Sequence, residues 1–434
     1  MFESFRNIFK IPELRKRIFF TIALICVYRI GRHLPTPGID LQVLHDIMSS
    51  AGAGGSDLLG LIDMFSGGNM KNFTIFALGI MPYISSSIIF QLLQAVVPAL
   101  EKLAKEGEYG RKKITQYMRV GTVLLSVVQA FGISLFLAAQ PGMVTMDILA
   151  FRLLTILTMT TGTIFIMWLG EQITERGIGN GISLIIMAGI IAGFPQGLVL
   201  TIESMLKGTI PVYLMVIVLA IMIMVIASVV IIQQAQRRLP VQYAKRVVGR
   251  RVMGGQATHI PLRVNTAGVI PVIFSTSLIM FPGTIIRFFG TSPFTEGLLR
   301  ALAPGNWLYI ILDVILIIFF TYFYTAVVLN PQDIADNMKK YGGFIPGIRP
   351  GKNTADYIEK VLTRITLAGA LFLAAIDVLP TVLYNAFHVP FYFGGTSLLI
   401  VVGVALDTMR QIESHLLMRH YDGFVKKGRL RGRV

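Results

Sequence analysis

The chain has 434 residues, of which 54% are hydrophobic and only 14% charged. A soluble domain carries about 25% charged residues, so this composition excludes a soluble globule, and with it disorder, collagen and coiled coil. The net charge of +16 points to anionic partners at one membrane face, and a lone cysteine, Cys26, excludes a disulfide framework or a Cys-based metal site.

A membrane-spanning helix needs about 20 mostly apolar residues. Ten stretches qualify: about 18–36, 73–97, 118–138, 153–170, 183–201, 212–234, 267–289, 307–329, 362–387 and 393–417. The first is followed by Pro35, Pro37 and Asp40 with no small-residue cleavage site, so it is expected to be a retained span. Of the Lys and Arg residues, 32 fall on the side that holds both termini and 5 on the other, with Arg29 and Arg32 near the end of the first span. The positive-inside rule then places both termini in the cytoplasm. Ten spans divide into five plus five, with a joint near 202–211. The expected halves are 1–205 and 206–434, the second carrying cytoplasmic loops at about 235–266 and 330–361. A five-span unit starts and ends on opposite sides, so two like halves must be inverted. The expected fold class is an all-α polytopic membrane protein with ten transmembrane helices in two inverted halves.

Between the first two spans, glycines bracket a short apolar run that contains Leu58, Leu59, Leu61, Ile62 and Phe65. A helix over 58–65 would be about 12 Å long, too short to span. It reads either as an amphipathic external helix or as a re-entrant element that folds into a cavity and blocks it. In the second span, Pro82 is expected to loosen the helix. Ser87 and Gln91 stand four apart on one face, with Gln94 beyond, a pattern suited to a helix contact that can open. The seventh span repeats the style with Pro271, Ser275, Thr276 and Ser277.

Enzyme chemistry is absent from the motifs. No HExxH, GxSxG or CxxC occurs. The glycines of 347–353 are one residue too close for a phosphate loop, and Asn353 stands where a Ser or Thr would bind magnesium. No enzyme activity and no cofactor is expected, so a partner must supply any ATP the process needs. Asp313, Asp377, Asp407 and Glu171 lie near span ends and read as snorkelling or paired interfacial charges, with Arg29 the deepest ionisable group. A ten-span secondary transporter of a small solute stays as the alternative reading, weakened by span centres almost free of charge.

Six segments carry a resemblance: LGIMPYISSSIIFQLLQ at 78–94, KEGEYGRKK at 105–113, GEQITERGIGNG at 170–181, THIPLRVN at 258–265, GFIPGIRPG at 343–351 and FYFGGTS at 391–397. Through them the chain resembles the SecY family of bacterial protein-translocation channel subunits, over essentially its whole length. The resemblance implies a protein-conducting channel in the cytoplasmic membrane, with an hourglass pore between two five-helix halves. It implies an aliphatic pore ring of Ile80, Ile84, Ile186, Ile190, Ile273 and Ile400, and makes the 58–65 helix a plug. The second and seventh spans become a lateral gate, with Ser87, Gln91, Gln94, Ser275 and Thr276 on it. Arg238, Arg246, Arg250, Arg251 and Arg349 become docking residues for ribosomal RNA and the motor ATPase SecA. SecE, SecG, signal peptides, unfolded preproteins and anionic lipids complete the expected partners.

Overall fold

The structure is a computed structural model, and it describes residues 11–40, 42–43, 63, 66–208, 211–243, 246–248, 251–253, 257–289, 297–298, 301–303, 306–387 and 395–427. Among the described residues these helices follow in chain order: α1 Pro12–Gly31, α2 Met81–Val96, α3 Pro98–Lys105, α4 Glu108–Ala138, α5 Ile148–Arg176, α6 Gly181–Ile191, α7 Phe194–Leu206, α8 Val212–Gln234, α9 Ile270–Phe289, α10 Trp307–Val328, α11 Pro331–Lys340, α12 Lys352–Phe387 and α13 Gly395–Lys427. Each of the ten expected spans falls on a helix or a helix pair. Among the described residues, α4, α5, α8, α10 and α12 are singly long and apolar enough to cross a bilayer, and α2 with α3 makes a sixth if the bent pair counts as one. The chain is a multi-pass membrane protein.

Three spans differ from the expected ones. The second starts as turns, and its helix begins only at Met81. Pro82 lies in the first turn of α2, where its missing N–H costs nothing. It starts the helix rather than loosening it, and Pro271 does the same for α9. Among the described residues, the prolines that lie inside helices past the first turn are Pro282 in α9 and Pro380 in α12. After Val97 the chain turns by 99° into α3, because an extended Val97 precedes Pro98. The fifth span breaks at Ala192–Gly193 into α6 and α7.

The chain divides into two compact units. One comprises Met1–Lys207, Met280–Pro304 and Ile400–Val434, the other Gly208–Ile279 and Gly305–Leu399. In the first, α4 packs on α2 and α5, while α1 and α6 pack on α5. Met70, Phe73, Leu78, Leu137, Met143 and Phe151 are buried together in its core. In the second, α12 packs on α10 and α11. Strands extend the second unit beyond its helices: β1 Gln236–Tyr243, β2 Arg246–Val248, β3 Arg251–Met253, β4 Ala257–Arg263 and β5 Gly343–Phe344. β1 lies between β4 and β5, antiparallel to both, and β2 pairs with β3 as a hairpin. Pro240 is tolerated in β1 because β5 reaches only Gln242 and Tyr243, so one side of the strand is open at Pro240.

Candidate functional site

Five of the six isoleucines expected to form a ring belong to the first unit and Ile273 to the second. Ile80 and Ile84 lie one turn apart, joined by an Ile84 N–H to Ile80 carbonyl bond of 3.1 Å. Ile80 is the residue before α2, not part of its body. Ile186 and Ile190 sit one turn apart on α6. The start of α6 is fixed by the Asn180 side chain, which accepts from the Ile182 and Ser183 N–H groups at 3.1 and 3.3 Å. All six side chains are buried.

The residues expected to form a plug, Leu58, Leu59, Leu61, Ile62 and Phe65, lie outside the described residues, but the loop that follows them is closely hydrogen-bonded. Asp63 is its centre. One carboxylate oxygen accepts from the Met70 and Lys71 N–H groups at 3.0 Å each, and the other stands 3.9 Å from the Lys71 ammonium. Burial pushes this carboxyl above the ordinary aspartate range, against the pull of those N–H groups and of Lys71. The Tyr28 hydroxyl donates to the Ser66 carbonyl at 3.1 Å and accepts from the Asn69 amide at 3.3 Å. Gly67 meets α6 at Gly189: a Cβ on Gly67 would lie 2.8 Å from the Gly189 Cα. That contact is adjacent to Ile190. Arg29 ties α1 to the same turn of α6, its Nη2 donating to the Ala188 carbonyl at 3.0 Å. Sequence reasoning missed Asp63. The signal was a single acid in an otherwise apolar run.

On α2, the Gln91 amide donates to the Ser87 hydroxyl at 2.9 Å, so the two do share a face. Gln94 is half-buried. On α9, the Ser275 and Thr276 hydroxyls are used within the second unit, while the buried Ser277 hydroxyl has no hydrogen-bond partner among the described residues. The Ser275 hydroxyl donates to the Asp313 carboxyl on α10, and Thr276 returns its hydroxyl to the Val272 carbonyl at 3.0 Å. Asp313 and Asp377, read from the sequence as interfacial charges, are both buried, with the Thr396 hydroxyl donating to Asp377. The other two acids are paired. Glu171 meets Arg119 at 2.8 Å, and Asp407 meets Arg410 at 3.6 Å.

The buried Asp377 carboxyl accepts from the Thr396 hydroxyl. Asp377→Asn keeps an oxygen that can accept from it and is expected to leave thermal stability nearly unchanged. Asp377→Ala leaves the Thr396 hydroxyl without this partner and is expected to cost about 1–3 kcal/mol. Thermal unfolding of both variants in detergent measures the difference, and equal losses would show that the bond to Thr396 adds nothing to stability.

The basic loops converge on one small core. Leu239 and Val241 of β1, Leu262 of β4, Met338 of α11, and Ile358 and Leu362 of α12 pack around Ile345. Ile345-Pro346-Gly347-Ile348 is a tight turn closed by an Ile348 N–H to Ile345 carbonyl bond of 3.0 Å. Gly347 holds φ at 82°, the left-handed value that such a turn demands at its third residue. Arg349 follows the turn and is exposed, with its carbonyl accepting from the Thr354 hydroxyl at 3.0 Å. Arg238 is exposed on β1. Arg246 and Arg251 belong to the β2–β3 hairpin, and Arg250 lies outside the described residues.

Known proteins resemble the chain over nearly its whole length. Residues 74–409 match the family described as SecY. The protein translocase subunit SecY of Vibrio cholerae serotype O1 is 48% identical over 97% of this chain and 96% of its own. A structure described as that of a protein conducting channel superposes with a TM-score of 0.62 at 18% identity, covering 94% of this chain and 96% of the other. Sec61 in the canine ribosome–channel complex from the endoplasmic reticulum gives 0.60 at 17% identity, with the same coverages. At those identities the two structures speak for the fold alone. The family match and the full-length relative together settle membership: this chain belongs to the SecY family.

Proposed function

We propose that the chain is the channel-forming subunit of a bacterial Sec translocase, not an enzyme. It passes unfolded secretory polypeptides across the cytoplasmic membrane and releases hydrophobic segments sideways into lipid. The observation that carries this reading is the near-full-length match to a relative named as a translocase subunit. The six isoleucines form the constriction. Branched aliphatic side chains can close around a moving chain without binding it, and a narrow apolar ring dewets and resists ions when empty. The 58–65 segment is the plug, and the loop around Asp63, fastened to α1 and α6, is its fixed base. Signal peptides carry a short apolar core, which leaves for lipid between α2 and α9. Both termini and the basic loops face the cytoplasm. There Arg238, Arg246, Arg250, Arg251 and Arg349 meet ribosomal RNA and SecA, the source of ATP-driven work. SecE and SecG complete the complex, and anionic lipids surround its basic face. The proposed halves are 1–205 and 206–434.

A crosslinking experiment tests the conducting role. With a photoreactive residue in place of Ile84 or Ile186, a precursor stalled in transit is expected to form adducts. The same probe at Ile223, an exposed position on α8, is expected to label lipid. Adducts at Ile223 but not at Ile84 or Ile186 would remove the ring from the path.

A further inference from the structure

The second unit holds a groove that translocation leaves without a role. It has a volume of about 790 Å³ and lies along α10, α11 and α12. Phe319, Tyr322, Phe323 and Leu362 make its inner wall apolar and aromatic. The wall is held in place: the Tyr322 hydroxyl donates to the Thr363 carbonyl at 3.1 Å, and Phe319 stacks on Phe323 with ring centroids 6.3 Å apart. The mouth is charged, with Asp336, Asp356 and Glu359 beside a single cation, Lys352. All four are exposed. Among the described residues, none of these three carboxylates has a cation within 4.0 Å. On a chain with a net charge of +16, a mouth with three acids to one base is an exception.

Geometry narrows the occupant. α12 rises about 15 Å between Asp356 and Thr366, from the loop end of the helix into the span that starts near residue 362. Below the charged mouth the wall along this rise is apolar and aromatic, a surface suited to an acyl chain. Charge narrows it again. A purely anionic headgroup would put its phosphate among three carboxylates. A headgroup that ends in a primary ammonium answers both signs, the phosphate toward Lys352 and the ammonium donating charge-assisted hydrogen bonds to the acids. We infer that this groove seats one phospholipid of the phosphatidylethanolamine type, its headgroup at the Asp336–Asp356–Glu359–Lys352 mouth and one acyl chain along Phe319, Phe323 and Leu362. The inference needs α10 and α12 to lie in a bilayer, whatever the channel carries.

The test uses the full chain with its partner subunits in nanodiscs. Phospholipids with a photoactivatable acyl chain and an ethanolamine, choline or glycerol headgroup are compared, and adducts are mapped by mass spectrometry. The ethanolamine lipid is expected to label 319–326 and 362–366 several-fold more than the other two. A choline headgroup has no N–H to donate, and a glycerol headgroup has no cation. The triple variant Asp336→Asn, Asp356→Asn, Glu359→Gln should erase the preference, and Lys352→Gln should weaken it, while labelling at the exposed Ile223 and Met224 of α8 stays constant. Equal labelling by all three headgroups, or groove adducts to a polypeptide in place of lipid, overturns the proposal.

Discussion

Ion conductance through the resting channel is expected to rise when Ile80, Ile84, Ile186, Ile190, Ile273 and Ile400 are replaced together by Ser. A hydroxyl on each position gives water a partner in the constriction, and a wet constriction conducts. Every 1.4 kcal/mol taken from the barrier is about a tenfold gain in conductance, so six polar side chains should give a large effect. All six positions are buried, and truncating a buried isoleucine costs about 2–5 kcal/mol. Variants with two replacements, Ile84 with Ile186 or Ile80 with Ile190, therefore accompany the full set and keep the measurement interpretable. Their leak should fall between wild type and the full variant. Unchanged conductance in planar bilayers, from protein that inserts and resists trypsin as wild type does, would take these residues out of the constriction.

The second large effect concerns the basic loops and separates diffuse electrostatic docking from shaped recognition. Arg238 and Arg251 stand on strands, and they and Arg250 must meet phosphate-rich RNA if the ribosome docks here. For single-stranded RNA each phosphate neutralised contributes about −0.7 to the salt slope, so each arginine removed should weaken ribosome binding and flatten its salt dependence by roughly one contact. Arg349 is placed differently. It follows a turn pinned by Gly347 and rooted through Ile345 and Ile348 in the core shared by β1, β4, α11 and α12. A rigid perch suits one defined partner. Arg349→Glu is expected to damage SecA-driven translocation strongly, with ribosome affinity and its salt slope nearly unchanged. Both activities measured across a salt series decide this. The division of roles is wrong if Arg349→Glu lowers ribosome affinity as far as the Arg250 and Arg251 changes do and spares SecA-driven transport.

The sequence shows the spans well and their interruptions poorly, for a physical reason. Hydrophobic runs report burial in lipid, which is why all ten expected stretches fall on helices. They do not report where a helix begins. Ile80 reads as part of a continuous apolar span, yet the helix starts after it, because Gly79 takes a positive φ of 57° and Pro82 favours a first turn. The Ser87–Gln91 face was legible from spacing alone, since a four-residue separation fixes a shared face whatever surrounds it. The burial of Asp313 and Asp377 was not, because the hydroxyls that donate to them, Ser275 and Thr396, lie on other helices, and near the end of a span an acid looks interfacial. The strands of the basic loop left a signal that charge obscured. In β1, Leu239 and Val241 are buried between exposed neighbours, the period of two that marks a half-buried strand, but the arginines around them read as topology. That the two loops share one core became visible only when β5 paired with β1.

Protein conduction itself is tested most directly by protease protection. The purified chain, reconstituted into vesicles with its partner subunits and supplied with SecA, ATP and a secretory precursor, is expected to move the precursor into the lumen. There it becomes resistant to added protease, and detergent restores cleavage. Precursor that binds to the vesicles but stays fully protease-sensitive would contradict the account, reducing the chain to a docking scaffold.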